Sequence, residues 1–314
     1  MNKALIFILS ILVLFGNAVA QATTNTDPDA AKFVTSDIDL FWAAYDKAKP
    51  ENDLIVYRDE YLKKGSIGLQ EFMRLRIGTS CNIVNAINAS PKYYAALREY
   101  SLKVAGYEKQ TRASFYKLKE IYPVAVFPDV YFVVGRMSSA GTLSDKGLLI
   151  GVDMFGKNGS APVDELGAWH KAVVSSVDRL PFIVAHELIH YQQKTAENGS
   201  LLARSINEGV PDFIAELIAG DTINPHLHKY ANPIEKELWL EFKKEMSGKD
   251  VSNWLYQGDQ AKEKPADLGY WMGYKIAESY YRNAKDKKQA IKDMLEIKDF
   301  AKFLTDSRYE EKFK

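Results

Sequence analysis

Apolar and polar residues recur with a helical period over residues 36–121. Phe41, Ala44 and Tyr45 fall three and four apart, and Tyr61, Ile67, Leu69, Phe72 and Leu75 follow less regularly. Residues 93–104 and 108–121 continue the theme, with Lys, Arg and Glu on the remaining faces, so one side of each helix is marked for a core. At Pro123 the pattern changes. Residues 130–134 and 148–152 are compact β-prone runs, separated by the Ser-, Gly- and Thr-bearing residues 137–146. They predict a β-hairpin or small antiparallel sheet. Helical patterns then return over about 207–219, 233–247, 267–284 and 287–304, with Pro, Gly and Asn at the breaks. The expected class is α+β and mostly helical, with the small sheet preceding one central helix and further helices on both flanks.

Residues 1–20 read as a signal peptide: Lys3, an apolar run over 4–15, and Ala18-Val19-Ala20 ahead of Gln21. The run is too short for a stable membrane anchor, and no later stretch approaches about eighteen consecutive apolar residues. The expectation is an exported protein of a bacterial periplasm or exterior, without a membrane span after cleavage. No cysteine follows the run, which argues against a lipid-modified N-terminus. Residues 21–32 are expected to form a flexible leader. Residues 33–314 are expected to form a single domain, since no linker rich in Gly, Ser or Pro divides them. Within it, 33–122 and 221–314 are helical, and 123–220 carry the sheet and the principal site.

Lys and Arg total 41 and so do Asp and Glu, so no global field recruits nucleic acid, and specificity must reside in a local site. Cys81 is the one cysteine, which rules out an internal disulfide. Near Ile77, Ile83 and Val84 it is expected to be a buried thiol.

That local site is announced by His186-Glu187-Leu188-Ile189-His190. Residues four apart share one helical face, so both imidazoles can converge on one metal ion with Glu187 beside it. Asp178 is expected to cap the helix, with Pro181 in its first turn. A zinc site wants a third protein ligand. Asn207-Glu208-Gly209-Val210-Pro211-Asp212 opens the next helical pattern, where Glu208 can present a carboxylate to the same ion. Asp212, one turn later, can accept the free ring N–H of a histidine.

His-Glu-x-x-His followed by Asn-Glu-x-x-x-Asp resembles the gluzincin zinc peptidases, which include thermolysin-like enzymes and zinc aminopeptidases. In detail, the Asn-Glu-Gly helix and the later Gly-Tyr-x-x-Gly-Tyr segment are similar to a group of exported bacterial proteins described as predicted zinc-dependent proteases. The resemblance implies a gluzincin-like core and one zinc per chain. Its ligands would be His186, His190 and Glu208, with Glu187 as general base and Asp212 supporting a ligand from behind. It also implies an oxyanion-stabilising tyrosine beyond the third ligand, Tyr274 or Tyr270. Gln193 and Ala196 stand where a metzincin has Gly and His, which excludes that branch.

The expectation is therefore a zinc-dependent endopeptidase acting on a peptide or unfolded protein. The alternatives are a catalytically inactive, zinc-stabilised binding or scaffold protein, and a zinc hydrolase of a non-peptide amide. His170, His226 and His228 are expected to be ordinary surface histidines.

Overall fold

The computed structural model describes residues 24–159, 161–196, 198–261 and 263–314, so the expected signal peptide lies outside the described residues. Its class is α+β and mostly helical.

The N-terminal helices α1 (Ser36–Lys47), α2 (Asp53–Val56), α3 (Ile67–Phe72), α4 (Ser80–Ala89), α5 (Pro91–Ser101) and α6 (Glu108–Ile121) surround an aromatic core. Phe41 meets Trp42, Tyr57 and Tyr61 at centroid distances of 4.9, 5.8 and 5.3 Å. The buried tyrosines spend their hydroxyls on the far ends of the strands. Tyr61 donates to the Val134 carbonyl at 2.7 Å, Tyr94 to Gly135 at 3.1 Å and Tyr93 to Asp153 at 2.9 Å. An apolar ring with a polar tip can close such a seam without leaving a carbonyl unpaired. Cys81 is exposed, not buried; Ile83 and Val84 take the inward face of α4 and leave Cys81 on the outer one.

Four strands form one sheet in the order β1-β2-β4-β3: β1 (Phe33–Val34), β2 (Val130–Val133), β3 (Gly141–Ser144) and β4 (Gly147–Gly151). The two apolar runs are β2 and β4, but they pair in parallel, Val130 opposite Leu148 and Phe132 opposite Ile150. The expected antiparallel hairpin of these two is therefore corrected to a mixed sheet. The hairpin is formed instead by β3 and β4, with β3 inside the stretch expected to be loop. Hydrophobicity concealed this edge strand, because Thr142 is its buried residue and Leu143 its exposed one. Residues 24–32, expected as a leader, are bonded to the chain ahead of β2: Phe127 N–H donates to Asn25 O at 2.7 Å and Val130 N–H to Lys32 O at 2.8 Å.

Beyond the short α7 (Ala168–Val173), the central pair is α8 (Leu180–Gln192) and α9 (Leu201–Ala219), followed by α10 (Pro225–Ala231) and α11 (Glu235–Glu245). The chain then forms α12 (Leu268–Asn283), which packs along α9 more extensively than any other helix pair, then α13 (Lys287–Leu295) and α14 (Phe300–Ser307). Asp178 is not the cap of α8. It sits in a 3-10 turn, Val177–Arg179, that leads into the helix, and Pro181 occupies the first turn. The pattern expected as one helix over 287–304 divides, because Asp299 caps α14 by accepting the Lys302 N–H at 2.9 Å. No helix among the described residues is long and apolar enough to cross a membrane.

Candidate metal centre

Val184, Ala185, Leu188 and Ile189 bury α8 in the core, so its histidines, four residues apart, look the other way, toward α9. Ser200 starts α9 by accepting the Ala203 N–H at 3.2 Å, which sets the helix phase that brings Glu208 and Asp212 to the facing side. His186, His190 and Glu208 converge: the two histidine Nε2 atoms lie 3.0 Å apart. Glu208 Oε2 is 3.1 Å from His190 Nε2 and 4.0 Å from His186 Nε2.

Each other polar atom of these three side chains faces a partner behind it, and all but His186 Nδ1 are hydrogen-bonded there. Asp212 Oδ1 lies 2.7 Å from His186 Nδ1, and Asp212 Oδ2 accepts from Asn224 Nδ2 at 2.8 Å. Tyr256 OH donates to Glu208 Oε1 at 2.9 Å. Gln193 Oε1 lies 2.7 Å from His190 Nδ1, and Gln193 Nε2 donates to the Asn207 carbonyl at 2.9 Å. That last carbonyl is available because Pro211, four residues on in α9, has no N–H to offer it. A proline inside a helix thus hands a backbone acceptor to the glutamine that orients a histidine.

These residues fit a divalent cation. Tetrahedral zinc with ligands near 2.0–2.1 Å sets donor pairs roughly 3.3 Å apart, and the observed separations of 3.0, 3.1 and 4.0 Å bracket that edge. Two imidazoles and a carboxylate suit zinc among common cations. Without an ion the cluster holds together by charge. Burial works against ionising His190, but Glu208 beside it prevails and raises its pKa to about 9. Burial likewise opposes the charge on Glu208, and the two histidines overcome it, holding that carboxyl to about 2.

Glu187 is buried against β3. A Cβ on Gly141 would stand 2.3 Å from its Oε1, so only glycine lets the strand pass this close. Burial raises the Glu187 pKa, opposed by His186, His190 and Arg76. Tyr270 stacks on His186 with centroids 6.3 Å apart. Tyr274, the other expected tyrosine, is not brought to the cluster: its ring packs on Phe213 and His228, 5.5 and 4.6 Å away, and its hydroxyl is bonded to Glu216. His170, His226 and His228 are partly buried rather than freely exposed, and burial lowers the pKa of the last two.

Sequence reasoning missed Gln193, Tyr256 and Arg76. Pro211 within a helical pattern was the available signal for Gln193. Tyr256 gave none. It stands in a loop with a left-handed φ of 61°, braced by its N–H on Asp267 Oδ1 at 2.6 Å, a conformation that costs a bulky residue of order 1–3 kcal/mol.

Residues 27–311, 285 of the 314, match the family described as gliding motility protein GldB. Comparison with curated proteins and with solved structures gave no match. The family match overturns the reading of the chain as a gluzincin-type zinc peptidase and its likeness to exported predicted proteases. The endopeptidase activity, the alternative hydrolase and the enzyme class fall with it. The physical reason is one of scope: the His-Glu-x-x-His and Asn-Glu-x-x-x-Asp signatures span a short stretch and encode the convergence of donors, while the chemistry done with such donors is not written in them. The family is one of lipoproteins, which places the chain with the cell envelope.

Proposed function

Because the chain belongs to the gliding motility protein GldB family, we propose that it serves gliding as a non-enzymatic component of the cell envelope. In this reading it faces the periplasm or exterior and holds one zinc ion on His186, His190 and Glu208. The ion ties α8 to α9, and those helices carry the core under the sheet and the packing against α12. The observation that supports the metal is the convergence of three donors whose remaining polar atoms each face Asp212, Gln193 or Tyr256. A site arranged this far beyond its ligands holds both imidazole rings in orientation before the ion arrives.

The test is complementation in the cell that encodes the chain. Deletion is expected to stop movement of single cells on glass; the wild-type gene restores it and His190→Ala does not. Normal gliding after deletion would remove the motility role. Full rescue by His190→Ala would remove the metal from it.

A further inference from the structure

Next to Glu187, the carboxylate between the two histidines in sequence, lies a cation that none of the three donors uses. Arg76 belongs to a π-helical turn, Met73–Ile77, that continues α3, a winding often found at functional sites. Its backbone carbonyl accepts from Arg136 Nε at 2.8 Å and from Ser138 Oγ at 3.2 Å. Its own Nε donates to Thr142 Oγ1 at 2.6 Å, and that hydroxyl also lies 2.9 Å from Ser139 Oγ. Thr142 directly follows Gly141, the residue pressed against Glu187, so the guanidinium is fastened to the strand that borders the cluster. Among the described residues its two terminal nitrogens have no hydrogen-bond partner, and it does not close onto Glu187 as an ion pair, although its charge reaches that carboxyl. A fixed fork with both tines free, beside a cation site, matches the geometry of a carboxylate.

We propose that Arg76 is the anion-binding arm of this centre, which takes a ligand bearing a carboxylate: the carboxylate sits on the Arg76 fork, and a neighbouring oxygen of the same ligand reaches the metal. The inference rests on the metal reading above. Charge selects a monoanion over a dianionic phosphate. A divalent ion and Arg76 together exceed Glu187 and Glu208 by a single positive charge, and Asp212 behind His186 cancels it, so a dianion would leave two uncompensated negative charges where a monoanion leaves one.

The probe is N-acetylglycine, titrated calorimetrically into the full mature chain with and without zinc, after zinc stoichiometry has been measured. The wild-type zinc form is expected to bind it. Arg76→Gln should keep one zinc and weaken the carboxylate at least tenfold, with Arg76→Lys between the two, since a lysine retains charge but not the fork. Circular dichroism establishes that both variants are folded. Equal affinity in wild type and Arg76→Gln, or equal binding with and without zinc, overturns the inference while leaving the metal site standing. Tighter binding of inorganic phosphate overturns the monoanion assignment. Absence of zinc from the wild type overturns the metal reading and this inference together.

Discussion

Replacing Gly273 by alanine tests how the candidate centre is held together. On α12 this glycine lies against α9, and a Cβ there would stand 1.8 Å from the Ser205 carbonyl oxygen and 2.5 Å from its carbon. The reciprocal position, Gly209 on α9, would place its Cβ 2.0 Å from the Tyr274 nitrogen. Both obstacles are backbone, so no side-chain rotation relieves them. Carbon and carbonyl oxygen rest about 3.3–3.6 Å apart even in close backbone packing, so the helices would have to part by roughly 1.5 Å at the crossing. A gap of that order forfeits half or more of the dispersion energy of the atoms it separates. Ile206, Val210, Met272 and Ile276 are all buried on these two helices. Overpacking of this kind costs about 3 kcal/mol or more, and for a chain of this size that lowers Tm by roughly 5 °C. Glu208 is next to Gly209, so the same displacement carries the third ligand away from the histidines and weakens zinc binding about tenfold or more. The assay is a thermal melt in chelator, paired with zinc calorimetry. Gly106→Ala serves as control, since a Cβ there meets nothing within 4 Å. A Gly273→Ala protein that melts within 2 °C or so of wild type and binds zinc equally well would refute the reasoning.

Two other perturbations read the surroundings of the cluster. Gln193→Leu removes the acceptor beside His190 Nδ1 and leaves the Asn207 carbonyl unpaired. Zinc affinity is expected to fall roughly 10–100-fold with the ligands intact, and an unchanged calorimetric Kd would contradict it. Burial, opposed in part by the Tyr256 N–H and reinforced by Glu208, raises Asp267 from its ordinary 3.8 to about 6. The folded chain therefore favours the proton: this contribution is full below about pH 4 and is lost as pH rises through about 6, a change of up to roughly 3 kcal/mol. Asn at 267 tolerates the left-handed φ of 67° and still accepts the N–H of Tyr256. In chelator, Asp267→Asn should accordingly gain Tm relative to wild type between pH 4 and 7, and parallel profiles would sink the assignment.

Period and spacing carried the helical frame and the donors. His186, His190, Glu208 and Asp212 lie one turn apart in pairs, a local relation that survives whatever the rest of the fold does. The partners at longer range were less legible. Gln193 follows α8 at once, but its role depends on the Asn207 carbonyl of another helix. Tyr256 arrives from 48 residues beyond Glu208 through a strained loop. The pairing of β2 with β4 could not be told from hydrophobicity, because parallel and antiparallel buried strands share the same apolar run. Gly269 and Gly273, which gave the Gly-Tyr-x-x-Gly-Tyr segment its likeness to proteases, have a packing reason instead: Gly273 lets α12 lie on the backbone of α9, and Gly269 makes room for the side chains of Leu255 and Ser205. The step from donors to hydrolysis was the one that failed, since a ligand set specifies an ion and not a reaction.

The central claim is that this envelope protein of the gliding family carries one metal ion on His186, His190 and Glu208. Metal analysis of the purified mature chain, exchanged into metal-free buffer without chelator, tests it most directly. About one zinc per chain in the wild type, and none in a folded His190→Ala variant, is the predicted result. A wild type that holds no metal, or a variant that holds as much, would contradict it.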